Sequence, residues 1–293
     1  MKKINKKALL ILLLIAGMVL LTGCQRNMDA NGVTLPEKII YLTTKWSDMM
    51  SEGFITVLLV YPLAQAINWV SSLLNSAVLG VIIITLLFNL ITLPLSIKTT
   101  VQTQKLQQIN PELQAIQEKY AGKDDDNSRM QQAQEMQKLY NKYGINPLGS
   151  MLTPFLQFPI LIAMYYAVQR AAAVVNGTIF GIPLQTTPKA SLANMATNWP
   201  IVVIFGLMII TQLLSSMVPK WLADASRKNA KGYKKYAEKN TSNATQNTML
   251  YAMVLMVAFI GFSWPVTMSV YWLINSGINI AKTVFVQKRY VNG

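Results

Sequence analysis

Residues 54–97, 151–169, 199–218 and 246–281 contain no Asp, Glu, Lys or Arg. A bilayer's hydrocarbon core is about 30 Å thick and takes about 20 predominantly apolar residues per helix. Each of the first three stretches is therefore long enough to span. The fourth accommodates two short helices broken at Pro265. The chain is predicted to be an all-α polytopic membrane protein with five transmembrane helices.

The basic residues lie between these stretches, and unevenly. Seven Lys or Arg fall in 98–146, seven in 219–245 and three from Lys282 onward, whereas the alternate segments hold Arg26, Lys38, Lys45, Lys189 and, at a helix end, Arg170. Translocated loops are poor in Lys and Arg, so the first span is expected to start outside and the C-terminus to end in the cytoplasm.

The N-terminus fits the same orientation. Lys2, Lys3, Lys6 and Lys7 precede an apolar run from Ala8 to Leu21, which is short for a span and has the layout of a secretory signal. The run closes in Leu21-Thr22-Gly23-Cys24, similar to the lipobox of bacterial lipoproteins, and Cys24 is the single cysteine. Residues 1–23 are expected to be removed and Cys24 lipidated. Cleavage takes four lysines from a formal net charge of +14. The remaining +10 lies mainly on the cytoplasmic side and suits anionic headgroups or ribosomal RNA. No specific DNA binding is expected.

The composition argues against catalysis. There is no His, hence no Ser-His pair, no His-ligated zinc and no H-E-x-x-H motif. Phosphate-binding glycine motifs are missing, and spans without Asp or Glu offer no carboxylate relay. The protein is expected to be no enzyme, to use no cofactor or metal, and to work by shape, polarity and binding.

Between the first two spans, Leu106, Ile109, Leu113, Ile116 and Tyr120 recur at spacings of three and four, the pattern of a coiled-coil seam. After a turn at Gly122–Asn127, Met130, Ala133, Met136, Tyr140 and Tyr143 recur similarly. The two predict an antiparallel helical hairpin in the cytoplasm, either structural or a docking element. The insert 219–245 is basic, with Lys228, Lys231, Lys234, Lys235 and Lys239, and is expected to be a mobile loop or an interfacial helix. Those lysines are candidates for ribosome or lipid contact.

Within the spans the informative residues are polar and uncharged. Thr85, Asn89, Thr92 and Ser96 share one face of the first helix. Thr153 and Gln157 lie four apart in the second; Thr211, Gln212 and Ser215 cluster in the third; Trp272, Asn275, Ser276 and Asn279 line up in the fifth. At 1.5 Å per residue, Asn89 lies about 12 Å from the cytoplasmic end near Ile97, and Gln212 about 9 Å from the end near Val218. The outer halves, such as Val78–Ile84 and Ile201–Leu207, are nearly pure hydrocarbon. The pattern predicts a polar cavity open to the cytoplasm and closed outside; the alternative is that these side chains bond only to neighbouring helices. Methionines such as Met208, Met253, Met256 and Met268 would adapt to varied apolar partners, or pack a core.

Leu93-Pro94-Leu95, Pro111-Glu112-Leu113, Glu118-Lys119-Tyr120, Gly144-Ile145-Asn146-Pro147-Leu148, Gln157-Phe158-Pro159-Ile160 and the run from Pro265 to Trp272 resemble the YidC membrane protein insertases of Gram-positive bacteria. The resemblance covers nearly all of the chain from about residue 54. It implies a groove bordered by five helices, with a substrate helix sliding along the third and fifth, and clients that are nascent or newly made membrane proteins. It also implies action alone or with the Sec translocon. Thr85, Asn89, Thr92, Gln157, Gln212, Ser215, Trp272, Asn275 and Asn279 are the candidate groove residues. At position 89 the family pattern usually holds an Arg that attracts acidic residues of a client's translocated tail; Asn keeps hydrogen bonding and loses that attraction. A non-inserting chaperone or assembly scaffold is the second reading.

The expected organisation is a signal peptide (1–23), an extracytoplasmic segment (24–53), an interfacial segment with the first span (54–97) and the hairpin (98–146). The second span (147–171), an outer loop (172–198), the third span (199–218) and the basic loop (219–245) follow. The fourth span (246–263), the fifth span (264–286) and a short tail (287–293) complete the chain.

Overall fold

A computed structural model describes residues 34–229 and 242–291, and the side chains among them except those of 147–158, 227–229, 242–250 and 291. Cys24, Lys231, Lys234 and Lys235 lie outside the described residues, as do the side chains of Gln157 and Lys228.

The described residues are predominantly helical, and their contacts fall into two units. The first comprises residues up to Ile84, Pro159–Thr186 and Pro265–Met268; the second holds Thr85–Phe158, Thr187–Trp264 and Ser269 onward.

In the first unit, a π-helical turn Thr56–Val60 runs into helix α1 (Tyr61–Leu74). α1 buries Ala64, Ile67, Asn68 and Ser71, a stripe at spacings of three and one, and leaves Trp69 and Leu73 exposed. It ends at Asn75, whose left-handed φ of 50° is one that Asn tolerates as a helix stop. Helix α2 (Ala77–Gln108) follows at once. The stretch 54–97, expected as an interfacial segment and a span, thus divides at two residues, Asn75 and Ser76. Its first part, Thr56–Leu74, is itself long and apolar enough to cross a membrane.

The segment before α1 is held to the end of helix α5 (Pro147–Arg170). Ile40 forms an isolated parallel bridge with Ala171, and Thr34 Oγ1 donates to Gln169 O at 2.9 Å. The Arg170 side chain, 1% exposed, pairs with Glu52 and donates from Nε to Lys38 O at 2.7 Å. Lys38 Nζ reaches the other Glu52 oxygen at 2.9 Å. Arg170, counted in the sequence as a helix-end cation, is therefore a buried cross-link. After it, the strands β1 (Thr178–Ile179) and β2 (Ile182–Pro183) pair antiparallel.

Helix α2, which enters the second unit at Thr85, is helical for 32 residues, about 48 Å, through Pro94. It carries the first span straight into the hairpin. The hairpin proper is helix α3 (Asn110–Lys119) and helix α4 (Asp126–Lys142), with Asp125 capping α4 by accepting Ser128 N–H at 2.8 Å. Its core is Ile109, Leu113, Leu139 and Ile145, with Leu106, Ile116, Met136 and Tyr140 packed on it. The expected antiparallel hairpin forms, but Met130 and Tyr143 of the predicted seam are exposed and Leu139 takes the central place.

Helix α6 (Met195–Asn229) is 35 residues long; of the two expectations for 219–245, a mobile loop or an interfacial helix, the first part, 219–229, is helical and continues the same helix through Pro219. Helix α7 (Ser242–Ser263) and helix α8 (Val266–Val286) are separated at Pro265, whose ring disfavours a helical residue before it; the preceding Trp264 is non-helical. Three described helices are long and apolar enough to cross a membrane: Thr56–Leu74, Ala77–Gln108 and Met195–Ser226. Leu90, Ile91, Val203, Leu207, Ile210, Leu255 and Phe259 face outward and are exposed. Soluble proteins rarely expose so much apolar surface; hydrocarbon is its natural solvent.

Candidate functional site

The second unit is built inside out around α8. Trp272, Asn275, Ser276 and Thr283 are buried on it, as is Gln287 at the start of the π-helical turn Gln287–Val291 that follows, while Phe285 and Tyr290 are exposed. Spacings of three and four put Trp272, Ser276, Asn279, Thr283 and Gln287 on one face, so the helix turns its polar stripe inward.

Three hydrogen bonds use that stripe. Ser276 Oγ donates to Gln212 Oε1 of α6 at 2.7 Å. Gln104 Nε2 of α2 donates to Thr283 O at 2.9 Å, and Gln287 Nε2 donates to Ser226 Oγ at 2.7 Å. From Ser276 to Gln287 the polar contact runs along about 16 Å of helix. The structure thus brings together Gln212 with the predicted α8 stripe. Asn279 Oδ1 accepts from Lys282 Nζ at 2.8 Å, which places a cation one turn along the same helix.

The α2 stripe is satisfied differently. Asn89 Nδ2 donates to Thr85 O at 2.9 Å, Thr92 Oγ1 to Phe88 O at 2.9 Å and Ser96 Oγ to Leu93 O at 3.2 Å. Thr211 of α6 likewise bonds to Leu207 O and Met208 O. Such back-bonding lowers the cost of a polar side chain in lipid without needing a partner helix. Thr85 is buried, whereas Asn89, Thr92 and Ser215 are partly exposed.

Trp272 stacks on Trp264 with ring centroids 5.3 Å apart and planes 4° apart. Gly261 lies beneath: a Cβ there would come within 3.0 Å of Met208 Cε and 3.3 Å of Trp272. This apolar plug, with Phe205 against Phe262 at 6.0 Å, sits at the Pro265 end of the seam. Of the methionines, Met208 is buried in the plug's wall and Met268 is buried in the first unit, whereas Met253 and Met256 are exposed outward.

The hairpin carries its charge on the surface. Lys119 Nζ meets Glu135 Oε1 at 2.6 Å and Tyr120 O–H donates to the same oxygen at 3.0 Å. The hydrogen bond from Lys119, then that from Tyr120, holds the Glu135 carboxyl below its usual range. Tyr143, expected in the seam, instead donates its O–H to Glu112 at 2.6 Å.

Sequence reasoning did not single out Gln104, Ser226, Thr283, Gln287 or Trp264. The first four are polar residues at the ends of apolar helices, where a hydrated side chain is equally at home. Only their pairing shows otherwise.

The 60Kd inner membrane protein family matches residues 69–292 of this chain. The chain also resembles membrane protein insertase YidC 1 of Streptococcus pyogenes serotype M6, with 31% identity over 232 residues, 79% of this chain and 74% of the relative. The chain belongs to the YidC family. Membrane protein insertase YidC 2 of Bacillus anthracis is 27% identical over 285 residues, 97% of this chain and 94% of its own. The YidC insertase of Mycoplasmopsis pulmonis is 28% identical over 245 residues, 82% of this chain and 39% of its own. The family match takes in the end of α1, the hairpin and all of the α8 seam, so the polar stripe described above belongs to the YidC part of the chain.

Proposed function

We propose that this protein is a membrane protein insertase and chaperone, which receives a client segment along the uncharged seam of α6 and α8 and releases it sideways into lipid. In this reading five spans enclose a groove in the cytoplasmic half of the bilayer. The mature N-terminus is lipid-anchored at Cys24 outside, and the C-terminus is cytoplasmic. The observation that carries it is the Gln212–Ser276 hydrogen bond: two polar stripes turned toward each other on helices whose opposite faces are hydrocarbon. Several relatives named as insertases share the chain from end to end, which supports the same reading.

A polar seam shortens the apolar barrier a client must cross. A charged residue at the bilayer centre costs about 2.5 to 3.5 kcal/mol even on the gentlest scale. Neutral hydrogen-bonding groups reduce that cost and leave no ion pair to break on release. The Sec translocon and the ribosome are the proposed partners, the ribosome through Lys228, Lys231, Lys234 and Lys235, and anionic lipids would contact the same lysines.

The test is a photocrosslinker at Gln212 against a ribosome-bound nascent membrane protein, with Val203, exposed on the opposite side, as control. An adduct at Gln212 that is lost once the client integrates is the expected result. Adducts to mature proteins alone would favour a non-inserting chaperone, a reading that the uncharged Asn89 also suits. As an insertase with clients of weakly acidic tails, the Asn89→Arg variant should gain insertion of an acidic-tailed test protein; no gain would count against that client range.

A further inference from the structure

A second polar surface lies in the first unit. The segment Tyr41–Thr43, the end of α1, the turn Asn75–Ala77 and residues Ala172–Thr178 enclose an open cavity of about 660 Å³. Nine of its fourteen lining residues bear a hydroxyl or an amide and none bears a charge.

The cavity is built, not incidental. Asn68, buried in its floor, donates to Ile40 O at 2.6 Å and accepts Ala173 N–H at 2.9 Å, which ties three of its walls together. Gly80 and Gly177 behind it admit no side chain: a Cβ at Gly80 would lie 2.0 Å from Ser71 Oγ, and one at Gly177 2.5 Å from Ala173 O. Ser71 is 5% exposed and its hydroxyl has no partner. Around the rim, Thr43, Asn75, Asn176 and Thr178 are exposed, and no side-chain hydrogen bond to another described residue occupies them.

The chemistry of this lining excludes most headgroups. A phosphate or carboxylate calls for Arg or Lys, and an ammonium for a carboxylate or an aromatic cage; the lining offers neither. Amides and hydroxyls each donate and accept, which matches a neutral group bearing several hydroxyls. The depth follows from the surroundings. Tyr41, Trp46 and Trp69 are all exposed beside exposed Leu42 and Leu73, and Trp and Tyr concentrate at the headgroup level of membranes.

We propose that the cavity binds the uncharged, polyhydroxylated headgroup of a membrane lipid, a glycosyl diacylglycerol, with its acyl chains along Trp69 and Leu73. Occupancy of this site would follow the neutral glycolipid content of the bilayer. It does not depend on the insertase reading.

The full-length chain, purified in detergent, would be offered equal amounts of a dihexosyl diacylglycerol and phosphatidylglycerol, and retained lipid counted by native mass spectrometry. At least fivefold retention of the glycolipid over phosphatidylglycerol is expected. In the Asn75→Gly, Asn176→Ala double variant that preference should fall to parity with helicity unchanged; glycine keeps the left-handed turn at 75, so folding is spared. Equal retention of both lipids by the unaltered chain, or a preference that survives in the double variant, overturns the proposal. So does displacement by the free disaccharide at the glycolipid's own concentration, which would make the cavity a site for soluble sugar. A photocrosslinker at Thr178 that captures polypeptide in place of lipid overturns it as well.

Discussion

The two units treat polarity in opposite ways. The first buries full charges: Arg170, Glu52 and Lys38 form a compact network that fastens the segment before α1 to the end of α5. The second keeps its helical stripes neutral along Asn89, Gln212 and Asn275, and spends hydrogen bonds on its own backbone or on a facing amide. A buried ion pair is rigid, because separating its partners strands a charge in a medium that solvates it poorly. Neutral groups exchange partners at a fraction of that cost, averaging about 0.6 kcal/mol per interhelical bond in membranes. A fixed anchor and an exchangeable surface therefore call for these two chemistries.

The sharpest way to break the contrast is to unpair the anchor. Glu52→Leu leaves the guanidinium of Arg170 buried with only a carbonyl and Met49 Sδ nearby. It should cost about 3 to 5 kcal/mol, read as a lower thermal midpoint in detergent and faster proteolysis within 34–53. Adding Arg170→Met should restore most of the loss; if it does not, charge pairing is not what holds the segment. The next largest effect tests whether the second unit has any rigid part. Leu113→Ala in the hairpin core should cost about 2 to 4 kcal/mol locally, visible as earlier hydrogen exchange in α3 and α4, while the transmembrane helices stay protected.

Gln212→Leu sharpens the comparison from the neutral side. Losing the bond to Ser276 should change stability by less than about 1 kcal/mol, yet insertion of a polar-tailed client should fall several-fold. A large stability loss with intact insertion would make Gln212 a packing residue.

The smallest effect concerns the hairpin's surface charge. Hydrogen bonds from Ser128, side chain first and backbone second, hold the Asp125 carboxyl below its ordinary 3.8, and those from Lys119 and Tyr120 hold Glu135 below 4.5. Depressed carboxylates stabilise the fold above their unfolded values and cease to as pH falls through the lowered ones. Hairpin helicity should therefore weaken slightly below about pH 4. At the other end, the bond to Glu135 raises the Lys119 ammonium above its usual 10.5, so its contribution is complete below that pH and fades as pH rises through the raised value. Asp125 and Lys119 are exposed and Glu135 is partly so, and salt should reduce both effects.

Much of this molecule was legible in one dimension because membranes and helices impose simple periods. Charge-free runs marked the apolar helices, Pro265 marked the break between α7 and α8, and spacings of three and four marked the hairpin and the α8 stripe. Errors arose where the period was ambiguous. In α4, Met130 and Tyr143 fit a seam on paper as well as Met136 and Tyr140 do, but only contact with α3 selects Leu139 for the core. In α6, the charge-free run ends at Val218 and with it the expected span, but the helix runs to Asn229, because absence of charge marks exclusion of water and not the end of a helix.

Composition and spacing alone therefore determined that the chain is helical and membrane-embedded, which helix faces are polar, and that the chain breaks at Pro265, since each follows from local backbone chemistry and the exclusion of charge from hydrocarbon. Tertiary structure alone decided which polar group meets which. Arg170 finds Glu52 across 118 positions of sequence, Gln212 finds Ser276, and the rim of the glycolipid cavity is gathered from three separated segments. Partner choice depends on distances through space, which no local period records.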